Sequence, residues 1–295
     1  MAVVDLEGAY DLHIHAAPCL FERIGDDIEI AQMCRDAGYR AIMLKAHHES
    51  TASRAYYADK SVPDIKVFGG LVLNSFVGGI NPAAAEAALK TGAKEIWMPT
   101  VDGTAHRQFF GVTGNYGVPG SATYIQSTTL KVSQEPAGLL KDGSLPTEVL
   151  QVLELVRDYD GILGTTHICK EEMLALAADA VDLGVKKILI THPHFKMLRL
   201  SNADTKHLVD MGAILELCSG TVQPIPGYVG INEIVETIRL VGAQNCIISS
   251  DTGSPRKPVP PETTRAYLYC LKVRGIAEDE IRMMTRDKPQ ALVGY

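Results

Sequence analysis

The chain has 295 residues, 46% of them hydrophobic and 21% charged, a size that suits one large α/β domain. Its 28 Lys and Arg against 35 Asp and Glu leave a net charge of −7. No basic run or basic-aromatic stripe is present, which argues against nucleic acid and anionic membranes as partners.

No apolar run approaches the roughly 18 residues that cross a bilayer, and the opening MAVVDLEGAYD has no leader-like pattern, so a soluble, cytoplasmic protein is the expectation. Six cysteines, Cys19, Cys34, Cys169, Cys218, Cys246 and Cys270, are scattered without a Cys-x-x-Cys pair. They read as reduced thiols, with Cys19 and Cys218 as packing residues.

Taken in chain order, β-rich runs alternate with helical ones. Strands are predicted at residues 9–16, 40–47, 66–74, 94–101, 161–167, 186–194, 213–220 and 245–253. In GDDIEIAQMCRDAG, Asp26 and Asp27 favour a helix N-terminus, Ile30, Met33, Cys34 and Ala37 form a stripe, and Gly38 stops it. Residues 103–143, rich in Gly, Ser, Thr and Tyr, carry no convincing helix and are too long for an ordinary connection. A lid or β-hairpin excursion after strand four is expected there, with Asp142-Gly143 as a turn and Tyr116 and Tyr124 shaping the lid. Next, SLPTEVLQVLELVRDYD offers Ser144 as an N-cap and an apolar stripe of Val149, Val152, Leu153 and Val156. Ile231, Ile234, Val235, Ile238 and Val241 repeat the scheme before Gly242. Eight strands, each followed by a helix, predict a (β/α)8 TIM barrel spanning residues 1–295 as a single domain.

Active sites of this architecture are built at the C-terminal ends of the strands. Alternation in strand one points Asp11, His13 and His15 to one face. His167 ends strand five, His192 lies near the end of strand six, and Asp251 follows CIISS in strand eight. Four imidazoles and a carboxylate converging on one mouth suit a divalent cation: Zn first, with Mn, Fe, Co or Ni as alternatives, one or two per chain. Lys45 and His47 share a face at the end of strand two. His47, His48, His106, Arg107 and His194 are candidate pocket or substrate-contact residues, Arg54 and Arg256 are further anion-binding candidates, and His207 reads as a solvated helix residue.

The motifs DLHIH, the single His167, THPH and SSDTG, with the ending IAEDEIRMMTRDKPQALVGY, resemble the amidohydrolase superfamily, including its phosphotriesterase-like and TatD-like branches. That resemblance implies His13, His15, His167, His192 and Asp251 as metal ligands and Asp251 as the catalytic base. Strand four, EIWMPTVD, departs from it, because no bridging Lys or Glu stands at its end. Lys45 is then either a carboxylated bridge between two metals or an ordinary cationic contact, with Asp102 and Glu216 as reserve bridging carboxylates. The implied activity is hydrolysis of an amide, imide or lactone of a small molecule. The alternatives are decarboxylation of a small aromatic acid, phosphoester hydrolysis, or a ligand-binding barrel without turnover. Partners are then a small-molecule substrate and copies of the same chain as a homo-oligomer.

Overall fold

The computed structural model describes residues 4–116, 138–198, 200–222 and 229–295. Its centre is one eight-stranded parallel sheet in the order β1 to β8. The strands are β1 (Tyr10–Ile14), β2 (Ala41–Leu44), β3 (Lys66–Val72), β4 (Ala93–Trp97), β5 (Ile162–Gly164), β6 (Ile188–Thr191), β7 (Ile214–Cys218) and β8 (Cys246–Ser249). Helices α1 (Asp27–Asp36), α2 (Ala52–Ser61) and α3 (Pro82–Lys90) follow the first three strands, and α4 (Thr104–Phe110) and α5 (Thr147–Asp158) both follow β4. Helices α6 (Lys170–Asp182), α7 (Asn202–Asp210), α8 (Ile231–Val241) and α9 (Pro260–Val273) follow β5 to β8. The chain closes with α10 (Glu278–Arg282) and α11 (Lys288–Val293). This is the predicted (β/α)8 barrel. Among the described residues no helix is long and apolar enough to cross a membrane.

Apolar periodicity explains the packing. On α5 the stripe Val149, Val152, Leu153 and Val156 is buried, and on α8 Ile234, Ile238 and Val241 are. These faces join the outward-facing strand residues, such as Ile42, Leu44, Ile96 and Ile190, in the core between helices and barrel. A second core fills the lumen: Leu12, Met43, Phe68, Trp97, Ile162, Leu189 and Ile247, met by Leu292 and Val293 of α11. One end of the barrel is thereby plugged, leaving the strand C-terminal ends as the open mouth.

Each strand ends two to four residues short of its predicted end. Beyond those ends the backbone leaves the ladder to serve side chains, and Thr166, His192 and Asp251 take φ of 51°, 36° and 50°. Left-handed backbone at non-glycine residues costs about 1–3 kcal/mol each and concentrates at functional sites. The seam between β8 and β1 is stitched above the strands, where Asp251 N donates to His13 O at 2.9 Å and His15 N to Thr252 O at 2.9 Å.

Two local expectations need correction. Thr104–Phe110 is a helix, although residues 103–143 showed no helical signal. It is short, bounded by Gly103 and Gly111, and has no side-chain cap, so local propensity could not reveal it. Ser144 is not the N-cap of α5, whose cap position is Pro146. Ser144 instead pairs with Lys141 around the Asp142-Gly143 turn, where both central residues have positive φ. Residues 117–137, including Tyr124 and most of the expected lid or hairpin, lie outside the described residues.

Candidate active site at the barrel mouth

The register of β1 slips between Asp11 and Ile14, breaking strict alternation. His13 and His15 reach the mouth; Asp11 does not, contrary to the expectation of one shared face. Its Oδ1 accepts the amides of His13 at 3.1 Å and Ser250 at 2.9 Å, so it braces the seam. Burial pushes its carboxyl up to about 6.

His13, His15 and Asp251 converge. Asp251 Oδ1 lies 3.2 Å from His13 Nε2 and 3.3 Å from His15 Nε2. His15 Nδ1 is 2.9 Å from the Lys45 carbonyl, which can only accept, so the ring donates through Nδ1. Burial holds His15 down to about 3, so its ring is neutral and Nε2 presents a lone pair. A neutral His13 donating through Nδ1 to Glu216 Oε2, at 3.2 Å, likewise presents Nε2. Burial raises the Asp251 carboxyl, but its surroundings, with the Lys257 ammonium among them, hold it well below its ordinary range.

A proton relay in neutral form sets the fourth donor. His106 Nε2 is 2.6 Å from the Asn115 carbonyl and must donate, leaving Nδ1 as acceptor. His167 Nδ1, 3.2 Å away, then donates to it, and His167 Nε2 presents its lone pair toward His192 Nε2 at 3.2 Å. Burial pushes His106 down to about 4 and both His167 and His192 well below their ordinary value. With these rings in the neutral tautomers that their Nδ1 partners favour, lone pairs on His13, His15 and His167 and the Asp251 carboxylate face one mouth. Such a donor set fits a divalent cation, which relieves the repulsion.

The remaining predicted residues separate cleanly. Lys45 and His47 line the cleft with the five donor residues. Lys45 is buried, its Nζ 4.8 Å from the centre of the Trp97 ring, and burial pulls its amine down against the pull of Glu216 and Asp251. His47 stacks on His15 at 4.8 Å, and its Nδ1 meets the Thr100 hydroxyl at 2.9 Å. His106, expected at substrate, is fully buried behind His167 and acts on that ring instead. Arg107 sits half-buried on α4 and does not line the cleft. His194, also expected at substrate, turns to α8, where its Nε2 meets the Thr237 hydroxyl at 2.8 Å. Arg54 is neutralised by Asp27 and Glu49, at 2.7 Å each, and is a clamp between loops rather than an anion site. Asp102 accepts the Ser75 amide at 2.6 Å, so it serves a turn. Glu216 is wholly buried against His13.

Three residues escaped the sequence reading. Asn74 donates to Thr100 Oγ1 at 2.7 Å and to the His47 carbonyl at 2.8 Å, bracing His47. Glu95, buried beneath the site, is pushed well above the ordinary carboxylate range by burial and by Glu216. Trp97 fills the lumen two residues later. It fits because β3 and β5 place glycines beside it: a Cβ on Gly70 would lie 2.3 Å from Trp97 Cζ3, and one on Gly164 2.2 Å from Trp97 Cδ1. The inward parity of Glu95 and Trp97 in EIW was the available signal.

Fold and donor set together define a (β/α)8 barrel with a histidine-aspartate mouth. The chain belongs to a family of unknown function, DUF6282, whose model matches residues 8–216. No curated protein matches it in sequence. Among solved structures it is similar to a probable dipeptidase, PvdM, from Pseudomonas aeruginosa (12% identity, TM-score 0.64, 98% of this chain and 95% of that one). It is also similar to an organophosphorus hydrolase from Deinococcus radiodurans (13%, 0.60, 98% and 93%) and to a 2,6-dihydroxybenzoate decarboxylase bound to 2,6-dihydroxybenzoate (11%, 0.60, 98% and 100%). At these identities the likeness is one of fold.

Proposed function

We propose that the chain is a metal-dependent hydrolase of the amidohydrolase type, cleaving an amide, imide or lactone of a small molecule. The observation that carries it is the convergence of His13 Nε2 and His15 Nε2 on Asp251 Oδ1, at 3.2 and 3.3 Å, beside His167 and His192. Those five residues would hold the cation, zinc being the best match to neutral imidazoles with one carboxylate. Bound there, a divalent cation supplies Lewis acidity that polarises the attacked carbonyl and acidifies a water. Asp251 takes the proton from the attacking water and returns it to the leaving nitrogen or oxygen. Glu216 and the Lys45 carbonyl fix the His13 and His15 rings in the tautomers the site requires. The names of the dipeptidase and the organophosphorus hydrolase agree with hydrolysis.

A mononuclear site with Lys45 as ammonium is the reading we favour. The face of Trp97, 4.8 Å from Nζ, attracts a cation and would repel a bridging carbamate. A mononuclear site keeps decarboxylation of a small aromatic acid as the second reading, in line with the fold shared with the decarboxylase. Elemental analysis after exhaustive dialysis, with His13→Ala as control, should give about one equivalent of metal per chain. Two equivalents would restore Lys45 as a carboxylated bridge, and none, with none recovered on reconstitution, would remove the metal reading. Assay of amides, lactones, phosphoesters and aromatic acids then separates uptake of water from release of CO₂.

A further inference from the structure

The cleft reverses the charge of the protein that carries it. The chain has a net charge of −7, yet the cleft is lined by Arg23, Lys45, Arg256 and Lys257 against Glu22 and Asp251. Asp251 belongs to the donor set already described, which leaves Glu22 as the other acid among the described lining residues. Arg23, Lys45 and Arg256 form no ion pair among the described residues, in contrast to Arg54, which is clamped by two carboxylates. Arg23 is held through Nε, 3.3 Å from Cys19 Sγ, so its two terminal amino groups stay available as a fork.

The two basic segments come from opposite ends of the sequence, the β1–α1 loop and the loop after β8. They are brought to one rim by the seam: Ile14 bridges Thr252, and Ile24 N donates to Gly253 O at 2.9 Å. Much of the remaining wall is aromatic, with Leu20 and Pro255 beside it. Phe21 meets Tyr116 edge to face at 5.3 Å and His47 at 5.5 Å, while Phe195 stacks on His192 at 4.2 Å. A cleft with low-dielectric walls and one sign of charge concentrates ligands of the other sign.

From this we infer that the substrate is a small organic anion with a flat or apolar body. Its carboxylate or phosphate is held at the rim by Arg23 and Arg256, with its reacting group over the histidines. The inference rests on the proposed hydrolase for where the reacting group sits, but the rim's preference for anions can be measured without turnover.

Benzoate, phenyl phosphate and neutral benzamide, matched in size, serve as probes. Each is titrated calorimetrically into the zinc-loaded and the zinc-free full chain, and into Arg23→Gln, Arg256→Gln and the double variant. The acids should bind both metal states at least about tenfold more tightly than benzamide, weaken as salt is raised, and lose about tenfold with each Arg→Gln change. Arg23→Lys should retain part of the affinity. Tighter binding of phenyl phosphate would identify the anionic group as phosphate, and tighter binding of benzoate as carboxylate. Equal binding of benzamide and the acids, or unchanged acid affinity in a double variant that melts like the parent, would overturn the inference. Anion preference in a chain that takes up no metal would sink the hydrolase reading and leave this one standing; metal uptake and turnover without anion preference would do the reverse.

Discussion

The chain carries two His-x-His pairs of identical spacing, and the structure treats them in opposite ways. His13 and His15 both face the mouth, sharing Asp251 at 3.2 and 3.3 Å. Of the second pair, His192 faces the mouth, whereas His194 is turned out to Thr237 on α8. The difference lies in the backbone between and around them. His13 and His15 run through extended chain stitched to β8, while His192 has φ of 36° and ends the alternation at once. Spacing therefore positions two side chains together only where backbone pairing to a neighbouring segment continues past the strand end.

The largest expected contrast is chemical. Asp251→Asn should lower turnover by roughly 10³-fold, in the range expected for removing a general base, in a chain that still folds. His194→Ala should leave metal content and turnover intact, measured by elemental analysis and steady-state kinetics. Loss of metal in His194→Ala would erase the distinction between the pairs.

Next in size is the floor under the inner pair. Gly164→Ala places a Cβ 2.2 Å from Trp97 Cδ1, in a lumen that cannot expand, and should cost about 3 kcal/mol in denaturant unfolding. The same change should cost less in a Trp97→Ala background, where Cδ1 is absent. A full loss persisting in the double variant would show that the strain lies elsewhere.

The outer histidine has its own signature in acid. Burial pushes His194 from its ordinary 6.5 to about 4. The unfolded chain therefore takes a proton on this ring before the folded one does, and stability falls as pH drops from 6.5 toward 4. By pH 5 the share from His194 is about 2 kcal/mol. His194→Gln should unfold with a correspondingly shallower pH dependence over that window, and an unchanged slope in denaturant titrations from pH 7 to 5 would contradict it.

The smallest effect concerns the ring behind the site. His106→Leu removes the acceptor that keeps His167 in the tautomer with a free Nε2. Metal dissociation into a chelator should quicken by about tenfold or more, as for other residues that orient a ligand. An unchanged rate would mean that His167 holds its tautomer without help.

These contrasts also show how much was legible in the chain itself. The eight β-rich runs and the apolar stripes of α5 and α8 follow from periodicity, because burial on one face is a local, repeated requirement. The residues of the mouth were legible for the same reason: His13, His15, Lys45, His47, His167, His192 and Asp251 stand at strand ends, and all line the cleft. What lay beyond reach depends on long-range geometry. A register slip in β1 decides that Asp11 turns to Ser250, 239 positions away, rather than to the site. His106 is a partner of His167 only because α4 carries it there. Trp97 can occupy the lumen only because two neighbouring strands supply glycine, a pairing no window along the sequence displays.

That tryptophan is the chain's only one, and its ring centre lies 6.4 Å from that of His13. Excited at wavelengths beyond the absorption of its 11 tyrosines, the protein therefore emits from a single fluorophore beside the candidate metal ligands. Filling of the mouth can be followed optically without a label, with open-shell Co²⁺ expected to quench where Zn²⁺ does not.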